Sequence, residues 1–169
     1  MENYKIGLNK IKCLIFDVDG VFTDGSVYLF KDETVRILNS RDRLAVQFAV
    51  EAGLKVFVIT GGYSDAVKAD LEKFGVTNVY LRVQDKLKIY EQILSENNLE
   101  DEECLFMGDD LPDLEVLQRV GVSACPANAA SDIKEIVSYV SKYEGGKFAV
   151  RDVIEQTLRV QGKWEGVKN

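Results

Sequence analysis

Short runs of apolar residues alternate with longer segments of mixed polarity along most of this chain. The runs are three or four residues long, as is typical of strands buried on both faces: Cys13-Leu-Ile-Phe16, Val56-Phe-Val-Ile59, Val79-Tyr-Leu81, Cys104-Leu-Phe-Met107 and Val122-Ser-Ala-Cys125. Between them, apolar residues recur at helical spacing over about Leu44–Ala52, Ser64–Phe74, Lys86–Asn97 and Leu114–Val120. The alternation predicts an α/β fold with a parallel sheet and helices on both faces.

One segment interrupts this rhythm. Ser26–Phe30 and Thr34–Leu38 have the composition of strands, and the polar residues Lys31-Asp-Glu33 separate them. This pattern predicts a β-hairpin over about 26–38 that protrudes after the first strand. An isolated hairpin is not stable in water, so we expect it to pack on the domain or on another subunit.

Composition narrows the possible partners and the compartment. The 169 residues include only two prolines and no internal repeat, so we expect a single domain over 1–169. The net charge of −7 repels nucleic acid and anionic membrane surfaces, so neither is an expected partner. Cys13, Cys104 and Cys125 are odd in number and lie in apolar runs, and the N-terminus lacks a signal-peptide pattern; both features predict a cytoplasmic protein.

Polar residues follow the predicted strands, at the edge where parallel sheets bind ligands. Asp17-Val-Asp-Gly20 follows the first run, Thr60-Gly-Gly62 the second, and Gly108-Asp-Asp110 the fourth, with Asp113 one turn later. Lys86 begins the helix after the third run. We therefore expect these side chains to meet in one site.

The residue types in this site indicate magnesium and carboxylate chemistry. A cluster of aspartates is repulsive unless it holds a cation, and oxygen ligands suit Mg²⁺. The chain has no histidine, which excludes histidine nucleophiles and imidazole bases. A carboxylate can instead attack phosphorus, so we predict Asp17 as the nucleophile and Asp19 as the acid and base. Thr60, Gly61 and Lys86 are predicted to bind the phosphoryl group.

Each motif alone has a simpler interpretation. Asp-x-Asp-Gly and Thr-Gly are frequent in ordinary turns, and a single lysine is usually a solvated charge. Two other classes of protein also remain open. A receiver-like signalling module combines acidic residues, threonine and lysine around Mg²⁺, although its acceptor aspartate would end the third strand, where this chain has Leu81-Arg-Val83. The second open class is an assembly domain without catalytic activity.

The order of the motifs resembles the haloacid dehalogenase superfamily. Asp17-Val-Asp-Gly-Val-Phe-Thr-Asp-Gly25, Thr60-Gly61, Lys86 and Gly108-Asp-Asp-Leu-Pro-Asp113 match its four motifs in order. No insertion large enough for a cap domain follows Asp19 or Thr60, so the chain is similar to the capless, tetrameric branch. The resemblance implies a Rossmann-like fold with no cap domain and a homotetramer formed through the hairpin.

The resemblance also implies a substrate and a division of roles. Members of this branch hydrolyse phosphates of 2-keto-3-deoxy sugar acids, such as 3-deoxy-D-manno-octulosonate 8-phosphate in lipopolysaccharide synthesis, and some act on nine-carbon sialic-type acids. By analogy, the side chains of Asp17 and Asp109 and the carbonyl of Asp19 would bind Mg²⁺, with Asp110 and Asp113 orienting metal-bound water.

Recognition of the sugar acid is where this chain departs from the family pattern. Many relatives carry arginines at the positions that we align with Gln47, Gly62 and Asp70. The candidate substitutes for these arginines are Arg41, Arg43, Lys68, Arg82 and Arg151. The predicted substrate contacts are Arg41, Asp42, Lys68 and Arg151. In the family, the C-terminal tail, about 145–169 here, can close the site of a neighbouring subunit.

Overall fold

Eight strands and seven helices make up the described part of the chain, residues 4–164 of a computed structural model. The strands are β1 Cys13–Phe16, β2 Tyr28–Leu29, β3 Thr34–Val35, β4 Lys55–Ile59, β5 Asn78–Tyr80, β6 Cys104–Met107, β7 Val122–Cys125 and β8 Tyr139–Val140. The helices are α1 Tyr4–Leu8, α2 Ser40–Glu51, α3 Asp65–Lys73, α4 Lys86–Asn97, α5 Leu114–Leu117, α6 Ser131–Ile136 and α7 Ala149–Val160. None of these helices is both long and apolar enough to cross a membrane.

The six strands outside the hairpin form one parallel sheet in the order β5-β4-β1-β6-β7-β8. β1 lies in the interior, with β4 and β6 as neighbours, and every residue of β1, β6 and β7 is buried. Phe16 is in register with Val58 of β4 and Met107 of β6. The residues that follow these three strands therefore emerge side by side at one edge of the sheet.

Helices cover both faces of this sheet, as predicted. One apolar cluster joins residues of β1, β4 and β6 to α2, α3 and α7, with Phe16, Val58 and Ile154 among its members. The other joins the opposite faces of the same strands to α4, α5 and α6, with Phe57 and Ile93 among its members. The predicted α/β fold without a cap domain is confirmed for the described residues.

The predicted element boundaries differ from the structure mainly at helices. The structure agrees with the predicted bounds of β1, β6, β7 and α4, but α2 begins at Ser40 rather than Leu44 because the Asn39 side chain caps it. α5 begins at the predicted Leu114 but ends at Leu117, three residues before the predicted Val120, and the chain continues there as a turn. The patterns of α1, α6, α7 and β8 were not identified from sequence.

The predicted hairpin is present with a short ladder. Only Tyr28–Leu29 and Thr34–Val35 are paired, and the Phe30 amide donates to the Glu33 carbonyl across the turn. Large apolar side chains on it are exposed, reaching 77% for Leu29 and 65% for Ile37. The hairpin therefore presents an apolar surface that the described residues of this chain leave exposed.

Most of the predicted C-terminal tail packs on its own chain. A Cβ atom on Gly145 would lie 1.8 Å from the carbonyl oxygen of Gly20, and the Gly146 amide donates to the Val21 carbonyl at 2.9 Å. The glycines thus let the tail contact the loop that follows β1. The tail then continues as α7, and its last part, 165–169, lies outside the described residues.

Asp42, predicted to contact substrate, is fully buried instead. Its carboxylate accepts hydrogen bonds from the amides of Phe148, at 3.2 Å, and Arg151, at 2.8 Å. These amides lie at the start of α7, where backbone donors lack partners within the helix. The prediction of a substrate contact is therefore wrong for Asp42, which joins α2 to the first turn of α7.

The Asp42→Ala substitution should destabilise the fold without changing substrate affinity. It leaves two buried amides unsatisfied, which costs about 1–3 kcal/mol in the free energy of unfolding. Urea denaturation measures this cost, with Asp32→Ala on the exposed hairpin turn as a control expected to change stability by less than about 0.5 kcal/mol. A large rise in KM at a temperature where the variant is folded would restore the substrate role.

Candidate active site

The loop after β1 carries Asp17 and makes room for Asp109, which follows β6. The Asp17 amide donates to the Met107 carbonyl of β6 at 3.1 Å, which holds the end of β1 against its neighbour. Gly20 has a φ of +87°, and a Cβ atom there would lie 2.0 Å from Oδ2 of Asp109. The absence of a side chain at Gly20 therefore makes room for the Asp109 carboxylate.

Asp17, Asp109 and Asp113 form a carboxylate cluster at this edge of the sheet. Each offers an oxygen within 4.8 Å of the others. Asp113 uses both of its oxygens within the protein: Oδ1 accepts from Lys86 Nζ at 2.6 Å, and Oδ2 accepts from the amides of Asp109, at 3.0 Å, and Asp110, at 3.4 Å. Asp113 thus fixes the loop that carries Asp109.

Lys86 is the cation of this cluster. Its Nζ lies 3.1 Å from Oδ1 of Asp17, as an ion pair that lacks hydrogen-bond geometry, so this buried oxygen has no hydrogen bond. Burial opposes the charge on Lys86, but the carboxylates of Asp17 and Asp113 outweigh it and raise the lysine pKa. One ammonium group faces three carboxylates, which leaves the cluster short of positive charge.

The shortage of positive charge contributes to raised pKa values for Asp17 and Asp109. Burial, and then repulsion from Asp113, raises the pKa of Asp17 to about 6 although Lys86 opposes the change. Burial followed by repulsion from Asp17, Asp113 and Asp110 raises the pKa of Asp109 to about 7. A divalent cation would relieve this repulsion and bond the unsatisfied oxygen of Asp17. The oxygen-only set of ligands fits Mg²⁺.

The end of β4 provides hydrogen-bond donors beside Asp17. Thr60 is buried, and its hydroxyl oxygen accepts from the Gly62 amide at 3.0 Å, which leaves the hydroxyl proton free to be donated. Val83 donates its amide to the Thr60 carbonyl at 3.0 Å and so braces the loop. Gly61, between Thr60 and Gly62 in the chain, is exposed.

Asp19 contacts a residue that sequence reasoning missed. Arg36, just after β3, donates from Nε to Oδ1 of Asp19 at 2.7 Å and from Nη2 to Oδ2 at 3.0 Å. Arg36 is the only charged residue between 34 and 38, in an otherwise apolar strand pattern. That isolated charge was the available signal for it.

The remaining predicted residues lie in three other environments. Arg41 and Arg151 line a separate cavity of about 250 Å³ together with Lys142, Tyr143 and Phe148. Lys68 donates to the Val79 carbonyl at 3.3 Å and lies 3.6 Å from Glu72. Asp110 is exposed, and its side chain caps the turn at Leu111–Asp113. The structure therefore brings none of the predicted basic substrate contacts to the carboxylate cluster.

The positions aligned with family arginines have other partners here. Asp70 accepts two hydrogen bonds from Nη1 of Arg43, at 2.8 and 2.9 Å, which ties α2 to α3. Gln47 donates to Glu51 on the exposed face of α2. Gly62 lies beside Arg36, so a cation does occupy this part of the site, but it comes from the hairpin.

Comparison with known proteins agrees with this geometry. A family model described as haloacid dehalogenase-like hydrolase matches residues 72–146. The 3-deoxy-D-manno-octulosonate 8-phosphate phosphatase of Yersinia pestis is 33% identical over 157 residues, which cover 92% of this chain and 84% of the relative. The enzyme of the same name from Escherichia coli K12 is 33% identical over 94% of this chain and 85% of its own length.

Solved structures extend the similarity to the backbone. The crystal structure of the Yersinia pestis phosphatase has a TM-score of 0.95 and 31% identity, covering 98% of this chain and 90% of that one. The Moraxella catarrhalis phosphatase, solved with magnesium, phosphate and a 3-deoxy-D-manno-octulosonate (KDO) molecule, has a TM-score of 0.94 and 26% identity, covering 98% and 96%. These findings contradict the receiver-like alternative. The chain belongs to the haloacid dehalogenase-like hydrolases, in the branch that contains the 3-deoxy-D-manno-octulosonate 8-phosphate phosphatases.

Proposed function

We propose that this protein hydrolyses the phosphomonoester of a 2-keto-3-deoxy sugar acid, with 3-deoxy-D-manno-octulosonate 8-phosphate as the first candidate substrate. The buried cluster of Asp17, Asp109 and Asp113 around Lys86 carries the proposal. Relatives at 33% identity over most of the chain bear the name of that phosphatase. A nine-carbon sialic-type acid 9-phosphate is the alternative substrate.

The proposed cofactor is Mg²⁺. The side chains of Asp17 and Asp109 and the carbonyl of Asp19 would hold the ion, and Asp110 and Asp113 would orient its water. When bound, Mg²⁺ neutralises charge on the carboxylates and on the phosphoryl oxygens. Asp113 suits an outer position because both of its oxygens already accept hydrogen bonds from the protein.

Asp17 acts as the nucleophile in this proposal. One of its oxygens forms a bond to phosphorus, the bond from phosphorus to the sugar oxygen breaks, and an aspartyl-phosphate results. Lys86, the hydroxyl of Thr60 and the amide of Gly61 bind the phosphoryl oxygens as their charge develops. The ammonium of Lys86 lies 3.1 Å from Oδ1 of Asp17, which supports this role.

Asp19 transfers the protons. It donates a proton to the departing sugar oxygen, and in the second step it accepts one from the water that attacks phosphorus. That attack breaks the bond between phosphorus and Asp17, which releases inorganic phosphate and restores the carboxylate. Asp19 is more exposed than Asp17, as a residue that exchanges protons with both the sugar and water needs to be.

We also infer a homotetramer assembled through the hairpin in the cytoplasm. Along the second hairpin strand, Arg36 points inward while Val35 and Ile37 are exposed, the reverse of the alternation expected at a water-facing strand. Exposed Leu29 and Phe30 extend the same apolar surface. A second subunit would remove this surface from water. The three buried, unpaired cysteines suit a reducing compartment.

The Asp17→Asn substitution should lower the rate of phosphate release by at least about 10³-fold, because an amide cannot form the acyl phosphate. Phosphate release from the eight-carbon sugar acid phosphate is the assay, and circular dichroism verifies that the variant is folded. Asp24→Asn in the same loop is the matched control, since Asp24 is exposed and its side chain accepts from Ser26. Turnover by Asp17→Asn at the wild-type rate would refute the nucleophile.

Metal removal should stop turnover and make stability depend on pH. Because the folded state raises the pKa of Asp17 to about 6 and that of Asp109 to about 7, ionising them costs folding free energy. As the pH rises from about 4 to about 7, the metal-free protein should therefore lose stability. Its Tm at pH 8 should be lower than its Tm at pH 5 by about 3 °C or more. No histidine titrates in this window.

Thermal unfolding in a chelator, with and without excess Mg²⁺, measures this effect. Mg²⁺ should raise Tm at pH 8 and have little effect at pH 5, where protons occupy the carboxylates. The Asp109→Asn variant should show a smaller decrease with pH and a smaller response to Mg²⁺. Full activity in the chelator, or a metal-free Tm that rises from pH 5 to pH 8, would contradict the metal assignment.

The Leu29→Asp substitution should dissociate the assembly, because it places a charge in a buried apolar contact. Sedimentation velocity at micromolar concentration is expected to show tetramers for the wild type and smaller species for the variant. Lys31→Glu in the hairpin turn is the control for an added negative charge. An unchanged tetramer with Leu29→Asp would exclude the hairpin as the interface.

A further inference from the structure

Arg36 connects the hairpin to the active site. Its guanidinium holds both oxygens of Asp19, and Nη1 donates to the Tyr63 carbonyl at 3.3 Å in the loop after β4. The Arg36 side chain is only 9% exposed, whereas that of Asp19 is 34% exposed. The arginine is therefore fixed between two loops of the site while its partner remains accessible.

The backbone leaves space for this arginine. A Cβ atom on Gly62 would lie 3.0 Å from Nη2 of Arg36 and 3.1 Å from Oδ2 of Asp19. Both distances are shorter than ordinary van der Waals contact, so an alanine at this position would make the ion pair shift by a few tenths of an ångström. Glycine at position 62 thus gives the pair of Arg36 and Asp19 its present geometry without crowding.

The guanidinium retains binding capacity. Arginine has five N–H donors, and three of them serve Asp19 and Tyr63, which leaves two. Its planar fork binds a carboxylate through two parallel hydrogen bonds, the geometry that it already forms with Asp19. A substrate carboxylate is chemically the same kind of partner and can replace Asp19 on the fork.

The location of Arg36 indicates which part of the substrate it meets. Under the proposed function, Asp19 protonates the oxygen of the departing sugar, so a cation bonded to Asp19 lies on the sugar side of the breaking bond. Lys86 is buried between Asp17 and Asp113 on the phosphoryl side. Phosphate and sugar would therefore meet different cations.

Other basic side chains near these loops are less suited to this role. Arg43 is bound to Asp70, and Lys68 to Val79 and Glu72. Arg82 lies over the Tyr63 ring, 4.1 Å from its centroid. The cavity of Arg41 and Arg151 includes no residue of the carboxylate cluster.

We propose that Arg36 is the specificity-determining residue that binds the carboxylate of the sugar acid, exchanging Asp19 for the substrate. This inference rests on the proposed function and deepens it. Binding of the acid transfers the fork from Asp19 to the substrate, and the released, solvent-accessible Asp19 carboxylate takes up a proton from water before it donates that proton to the sugar oxygen. A neutral sugar phosphate lacks the group that makes this exchange.

Substrate comparison with Arg36 variants tests the proposal. For Arg36→Gln we expect kcat/KM to fall by about 10- to 100-fold on the eight-carbon sugar acid phosphate, the loss typical of a hydrogen bond to a charged group. On a neutral hexose 6-phosphate the fall should stay below about threefold. Arg36→Lys keeps the charge without the fork and should be intermediate.

Two further variants separate recognition from general disturbance of the hairpin. Gly62→Ala leaves Arg36 in the chain but crowds its guanidinium, so it should lower the preference for the acid in the same direction and by less than Arg36→Gln does. Lys31→Gln removes a positive charge from the exposed turn of the same hairpin and should leave the preference unchanged. Thermal unfolding verifies that each variant is folded.

Equal losses of Arg36→Gln on acid and neutral substrates would overturn the inference and make Arg36 a positioning residue for Asp19. An unchanged preference in Arg36→Gln, together with a lost preference in Arg151→Gln, would assign recognition to the other cavity. If the wild type hydrolyses no phosphomonoester, the proposed function fails. Calorimetric binding of the free sugar acid then decides separately, since at least tenfold weaker binding by Arg36→Gln supports the inference and equal or absent binding refutes it.

Discussion

Repulsion among carboxylates held at the ends of adjacent strands is the constraint on which this structure depends. Oxygens of Asp17, Asp109 and Asp113 lie within 4.8 Å of one another, largely shielded from water, and among residues 4–164 Lys86 is the cation paired with this cluster. An arrangement like this costs folding free energy, since burial favours the neutral form of each acid. The same unbalanced charge creates affinity for a divalent cation, so the cost and the function have one origin.

Such a cluster needs a rigid backbone that also leaves space for the carboxylate side chains. Rigidity comes from β1 and its two parallel neighbours, which are buried against apolar layers on both sides. Openness comes from glycine: a Cβ atom on Gly20 would overlap the carboxylate of Asp109, and one on Gly108 would lie 2.4 Å from Cγ of Asp113. Gly145 then lets the tail press on the Gly20 carbonyl. The loop that carries the proposed nucleophile is thus packed between Asp109 and the C-terminal tail.

The sequence allowed the sheet and the cluster to be predicted because both depend on local signals. Buried strands appear as continuous apolar runs, so β1, β6 and β7 were identified with the bounds that the structure has. The aspartates follow those runs directly. α7 was not predicted, although its buried residues recur at helical spacing.

Contacts between distant segments could not be predicted in this way. Nothing in the neighbourhood of Asp42 distinguishes a capping carboxylate from a binding one, since its partners, Phe148 and Arg151, lie more than 100 residues later. Arg36 and Asp19 are closer together in the sequence, but their pairing depends on how the hairpin folds back over the site. The pair also packs closely against Gly62, in a third segment. These contacts follow from the tertiary packing rather than from local pattern.

The hairpin combines two properties that constrain each other. Its inward side carries Arg36 to Asp19, and its outward side exposes Val35 and Ile37 to a neighbouring subunit in the proposed assembly. Adjacent residues of a strand point to opposite faces, so a shift of one residue in register would exchange these sides. A two-residue ladder is too short to fix that register strongly by itself. Burial of the outer face between subunits would therefore also stabilise the inward position of Arg36, linking assembly to the geometry of the active site.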